Sequence, residues 1–104
     1  VKILLSTIAK ADLKEIVDYI KRDSVRYAIL EKERIKTTID SLYNQPISGR
    51  VFQKFNNENI RELIHRHYSI IYKINTDQTQ IEIPTIHHHA RLLGNNAAFK
   101  TSED

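Results

Sequence analysis

Apolar residues change their rhythm along this 104-residue chain, first from a short run to a helical repeat and then to alternation. The opening Lys2-Ile3-Leu4-Leu5-Ser6 is a short apolar run and reads as a strand. Leu13, Ile16, Val17 and Ile20 then recur at i, i+3, i+4 and i+7, which is one face of an α-helix. Lys10, Lys14, Glu15, Asp18 and Lys21 fall mostly on the other face, and Asp12 or Thr7 is expected to cap the helix. Asp23-Ser24 opens a second helix, because a side-chain oxygen there can accept from the free N–H groups of a first turn. Ala28, Ile35, Ile39 and Leu42 make its apolar stripe, while Glu31, Lys32, Glu33, Arg34 and Lys36 are expected in solvent. Pro46 disfavours helical geometry in the residue before it, so this helix should end by Asn44. So short a link between two helices predicts an antiparallel hairpin.

Beyond Pro46 the texture is that of turns and strands. Pro46-Ile47-Ser48-Gly49-Arg50 is turn chemistry, and Asn56-Asn57-Glu58-Asn59 is a second polar break. Three β-type segments follow, from Ile60 to Arg66, Tyr68 to Asn75 and Gln80 to His88, with Thr76-Asp77-Gln78 turning between the last two. The order β-α-α-β-β-β predicts an α+β domain over residues 1–93, a helical hairpin packed on one face of a small antiparallel sheet. Residues 94–104 form a polar tail without periodicity, expected to fray unless a partner orders it. Pro84 cannot donate to a strand ladder, and Ile86 has the opposite parity to Ile81 and Ile83. A bulge near Pro84-Thr85 would return Ile86 and His88 to the core side and turn His87, His89 and Arg91 outward together.

Composition narrows the classes. A chain that is 40% hydrophobic can fill one core and is too apolar for a disordered protein. It has no cysteine, which excludes thiolate chemistry and disulfides and makes the cytoplasm the expected compartment. The apolar runs are far short of the roughly 20 residues that span a membrane. The formal charge of +3 is a mild excess, with the basic residues and all five histidines extending through the second half. The second helix carries Arg26, Lys32, Arg34 and Lys36, but Glu31, Glu33 and Asp40 are interleaved with them, which argues against a DNA-recognition helix. His87 and His89 point the same way on a strand, yet no carboxylate or cysteine stands beside them and zinc takes four ligands, so neither a metal nor a cofactor is expected.

The sequence resembles the RelE/ParE toxin superfamily, small bacterial proteins kept silent by a co-expressed antitoxin. Three stretches carry the likeness. They are Ala11-Asp12-Leu13-Lys14-Glu15-Ile16-Val17-Asp18-Tyr19-Ile20, then Pro46-Ile47-Ser48-Gly49-Arg50 with Arg61-Glu62-Leu63 and Tyr68 to Ile74, and finally Ile81 to Leu93. The Arg-Glu-Leu segment and the ending His-x-x-Ala-Arg-x-Leu look more like ParE-type plasmid-stabilisation proteins. That resemblance implies inhibition of DNA gyrase without a nuclease site, with Lys54, Arg61, His65, Arg66 and Arg91 contacting the target or the antitoxin. The RelE-like alternative implies ribosome-dependent, metal-free mRNA cleavage, which needs a base, an acid and cations for the phosphorane. Its candidates are His87, His89, Arg61 and Arg91. A third reading is an inactive relative that only binds its antitoxin. The bland alternatives stand beside these: Arg61 as an ion-pair partner of Glu62 or Glu82, Tyr68 and Tyr72 as core aromatics, and His88 packed under the helices.

Overall fold

A computed structural model describes residues 1–90 and 96–99. The elements are β1 (Lys2–Leu5), α1 (Thr7–Lys21), α2 (Val25–Asp40), β2 (Arg50–Val51), β3 (Ile60–His65), β4 (Tyr68–Ile74) and β5 (Gln80–His88), with short 3-10 turns at Ser41–Tyr43, Gln53–Phe55 and Ala97–Phe99. The expected order of elements and the α+β class are both found. The strands form one sheet in the order β1-β5-β4-β3-β2, and the two helices pack on one of its faces. One pairing differs from expectation: β1 runs parallel to β5, so the sheet is mixed. The helical hairpin carries the chain back across the sheet between β1 and the rest, and β1 therefore joins the edge with the direction of β5.

Helix starts follow local chemistry. Ser6, and neither Thr7 nor Asp12, caps α1, its side chain accepting from the Ala9 amide at 3.0 Å. Ser24 caps α2 as expected, accepting from the Tyr27 amide at 3.1 Å. Both helices turn their apolar stripes to the sheet, where Ile16, Ile35, Ile39 and Leu42 meet Tyr68, Ile70, Tyr72, Ile74, Ile81, Ile83 and Ile86 in one core. Each such side chain taken out of water contributes ~1.5–3 kcal/mol, which is what holds the two layers together. The tyrosines at 68 and 72 are thus core aromatics.

The bulge is present. Ile71 pairs with Thr85 and Lys73 with Glu82, so β5 fits one more residue than β4 into the same interval. Ile86 accordingly rejoins Ile81 and Ile83 in the core. Beyond the Leu5–Ile83 pair, β1 no longer accompanies β5, and side chains take over its outer edge. Ser6 Oγ donates to the Pro84 carbonyl at 2.7 Å, and Asp12 Oδ2 accepts from the Ile86 amide at 3.0 Å. The same Asp12 oxygen accepts from Thr85 Oγ1 at 2.6 Å, so an acid on the inner flank of α1 fastens the helix to the bulge.

The strand Arg50–Val51 lies inside what reads in sequence as turn chemistry, and it pairs antiparallel with Glu62 and Arg61. The tail departs from expectation at residues 96–99, where Asn96 docks on the sheet through Thr85 and His87. Residues 91–95 and 100–104, including the rest of the expected tail, lie outside the described residues. Among the described residues, no helix is long and apolar enough to cross a membrane.

Candidate functional site: the histidine end of the sheet and the cleft beside α1

The register gathers all five histidines at one end of the sheet. His65 on β3 pairs with Tyr68 on β4, which pairs with His88 on β5, while His67 sits in the turn between β3 and β4 and His89 follows β5. The row His65-Tyr68-His88 faces the helices and the row Ile64-Ser69-His87 faces away.

On the helix side, His88 packs its ring edge-on to Tyr68 with centroids 5.1 Å apart, and lies 6.5 Å from the His67 ring. Its Nδ1 accepts from the Ala90 amide at 3.0 Å. His65 approaches Glu31 of α2, Nε2 to Oε1. Glu31 is therefore a buried acid and not the solvent-facing residue that charge alone suggests. Its other oxygen lies 3.6 Å from the Arg66 guanidinium, so one carboxylate faces two basic side chains and ties α2 to the β3–β4 turn. Arg66 holds φ 55°, a left-handed backbone uncommon outside glycine. The spacing 28, 31, 35, 39 places residue 31 in the apolar stripe, and that is the sequence signal for its burial.

On the opposite face the two candidate histidines part company. His87 is 5% exposed, and its Nδ1 lies 3.0 Å from Asn96 Nδ2, which also donates to Thr85 Oγ1 at 3.0 Å. A continuous polar chain thus runs from Asp12 through Thr85 and Asn96 to His87. The bulge turns His87 away from the helices as expected, but residue 96 covers it. His89 is exposed, with Nε2 2.8 Å from Ser69 Oγ. Arg91 lies outside the described residues.

Arg61 stands apart from both. It pairs with Tyr72 in register and faces the helices, separated by β4 from the strand that carries His87. Neither Glu62 nor Glu82 binds it. Its guanidinium donates to the Gly49 carbonyl at 2.9 Å, with a longer contact to Ile47, while Tyr72 Oη accepts from the Gly49 amide at 2.9 Å. Burial raises the Tyr72 phenol above its ordinary range, opposed by the Gly49 amide, the Arg61 charge and Ser48. Glu62 instead takes Arg50, Nε to Oε1 at 2.7 Å. Lys54, in the exposed 3-10 turn, lies near the Ile60 end of β3, away from His65. The groups named for RNA cleavage are therefore not gathered at one place among the described residues. No trio of His, Cys, Asp or Glu there could hold a metal ion.

A cleft of about 680 Å³ lies between α1 and the histidine end of β5. Ile16, Tyr68 and Ile86 supply its apolar floor, Tyr19 and Arg22 one rim, and His88 and Ala90 the other. Lys14, Glu15 and Asp18 add mixed charge along the helix, with Lys14 and Asp18 paired at 2.7 Å.

Comparison with known proteins agrees with this architecture. No curated protein sequence matches the chain. Among solved structures, the chromosomal ParDE toxin–antitoxin system of P. aeruginosa is similar, with a TM-score of 0.67 at 20% identity over 84% of this chain and 94% of that one. The RelBE2 toxin–antitoxin complex of Mycobacterium tuberculosis is also similar, with a TM-score of 0.56 at 19% identity over 86% of this chain and 92% of that one. At those identities the likeness is one of fold. The family model described as the ParE toxin of the type II toxin–antitoxin system parDE matches residues 3–93. The match takes in both helices and all the strands but the first residue of β1, and the chain belongs to the ParE toxin family.

Proposed function

We propose that this chain acts as an inhibitor of DNA gyrase and is held silent by an antitoxin that occupies the cleft beside α1. The observation that carries the first half is the dispersal of the cleavage candidates. Arg61 is spent on the carbonyls of the 47–49 turn on the helix face, and His87 is buried on the other face against Asn96. A base, an acid and a phosphate-binding cation must lie within hydrogen-bond reach of one substrate to cleave RNA. Family membership supports the same target, since the ParE-like branch is the one expected to act on gyrase. The cleft supports the second half: it has an apolar floor, a charged rim and a volume that accepts several side chains of a partner segment.

The test is induced expression in bacteria, following the DNA-damage response and bulk translation in parallel. An early damage response with translation still running is expected. An early collapse of translation, with mRNA cut at codons, would overturn the gyrase assignment in favour of RNA cleavage. Co-expression of the protein encoded beside this gene is expected to restore growth.

A further inference from the structure

The turn between β3 and β4 is a two-residue hairpin tip, Arg66-His67, closed by the His65–Tyr68 pair. Arg66 holds φ 55° there, a backbone state that hairpins this tight usually give to glycine or asparagine. A long cation kept in that state points to a use for the side chain itself. The Arg66 side chain is 52% exposed, and its guanidinium lies 3.6 Å from Glu31 Oε2, too far for a hydrogen bond. Glu31 thus steers Arg66 without occupying its N–H donors, and the same carboxylate already meets His65. Exposed His67 and His89 flank the tip, and the His89 amide donates to the His67 carbonyl at 2.9 Å, which fastens the tip to the end of β5. No acid occurs from Leu63 to Lys73 or from Ile83 to Ala90. Asp12, Glu15 and Asp18 face the cleft from α1, with Asp18 on Lys14. The end of the sheet itself therefore presents N–H donors around one oriented cation.

We infer that this tip binds a phosphodiester backbone, and that its occupant is the DNA held by gyrase. The inference rests on the gyrase reading above and deepens it by adding a DNA contact at the end of the sheet. Chemistry selects the ligand. A guanidinium offers planar N–H donors that match phosphate oxygens, and a neutral imidazole adds one N–H in either tautomer. Such contacts hold a duplex in place without reading its bases, so no preferred sequence is required. Glu31 acts as a positioning residue, orienting Arg66 from a buried place on α2.

Arg66→Gly removes the cation and suits the backbone, since glycine takes the left-handed state without strain. Its melting temperature should stay close to that of the unaltered chain, and Arg66→Asn, also at ease in that state, repeats the test. Arg66→Lys keeps a charge at the tip, and Lys73→Gln removes an exposed charge at the other end of β4. Binding to immobilised gyrase is followed by surface plasmon resonance, with and without a bound DNA duplex, over a series of salt concentrations. With DNA, Arg66→Gly is expected to raise Kd about fivefold or more and to lower the slope of log Kd against log salt by about 1. Without DNA its Kd should stay within about twofold of the unaltered value. Arg66→Lys should keep the slope, and Lys73→Gln should leave both Kd and slope unchanged. An unchanged slope in Arg66→Gly, or an equal loss of affinity with and without DNA, overturns the inference while leaving gyrase binding intact. If the unaltered chain binds gyrase in neither state, the gyrase reading fails and this contact fails with it.

Discussion

Gly49 lies where β2 meets the core, and Gly49→Ala is the sharpest test of how that junction is built. A methyl group at this position would sit 2.5 Å from Tyr72 Oη, 2.7 Å from Tyr72 Cε1 and 2.7 Å from the Glu62 carbonyl. None of these atoms yields easily. Tyr72 is fully buried in the core, and the Glu62 carbonyl belongs to the backbone of β3. Overpacking of this kind costs about 1–3 kcal/mol. Displacing Tyr72 also breaks its hydrogen bond to the Gly49 amide, worth about 1 kcal/mol, in a place where the amide has no access to water. The total of about 2–4 kcal/mol is a large part of the roughly 5–15 kcal/mol that holds a domain folded. At about 4–8 °C per kcal/mol, the melting temperature followed by circular dichroism should fall by on the order of 10–25 °C. A cycle with Tyr72→Phe tests the assigned contact. Removing Oη relieves the shortest clash, so the double variant should be more stable than the sum of the single losses implies. A Gly49→Ala protein that melts within about 2 °C of the unaltered chain would refute this packing, as would strict additivity with Tyr72→Phe.

Other perturbations address the remaining junctions. Asp12→Ala leaves the Ile86 amide and the Thr85 hydroxyl without their acceptor, and should cost about 1–3 kcal/mol in urea denaturation, with faster hydrogen exchange at Ile86. Glu31→Ala removes the acid shared by His65 and Arg66 and should cost about 1.5–3 kcal/mol, whereas the same change at exposed Glu33 should cost less than about 0.5 kcal/mol. The Tyr72 phenol is raised in the folded state above its ordinary value near 10, so its neutral form stabilises fully below that pH. That contribution is lost as pH rises through the folded value; the urea midpoint should fall on the alkaline side, and Tyr72→Phe should lack this component of the fall. Asn96→Ala should leave the fold standing and shift the His87 ring resonances by NMR, since the Asn96 amide lies 3.0 Å from its Nδ1.

Periodicity in the sequence is enough to make the layers legible. The stripes at 13-16-17-20 and 28-35-39-42 name the helices and their buried faces, and the parity conflict at Ile86 locates the bulge. What local pattern cannot carry is partnership across distance. Asp12 looks like a capping acid until β5 brings the Ile86 amide beside it, 74 positions away. Glu31 reads as one of a run of surface charges, although its place in the stripe forces it inward. Arg61 is a candidate for ion pairing or phosphate binding, but its nearest acceptors are main-chain carbonyls of a turn. His87 follows strand alternation to the outer face as it should, yet it is buried there, with Asn96 against its Nδ1. In each case the residue type is visible in the chain and the partner depends on the tertiary fold.

The gyrase assignment is tested most directly with purified components. Gyrase relaxing or supercoiling a closed plasmid is incubated with this chain, and the DNA is resolved after detergent and protease treatment. Linear, gyrase-cleaved plasmid that increases with the amount of this chain, and disappears when the antitoxin is added first, is the expected result. Plasmid supercoiled at the normal rate with no cleaved product, at toxin concentrations well above those of gyrase, would contradict it.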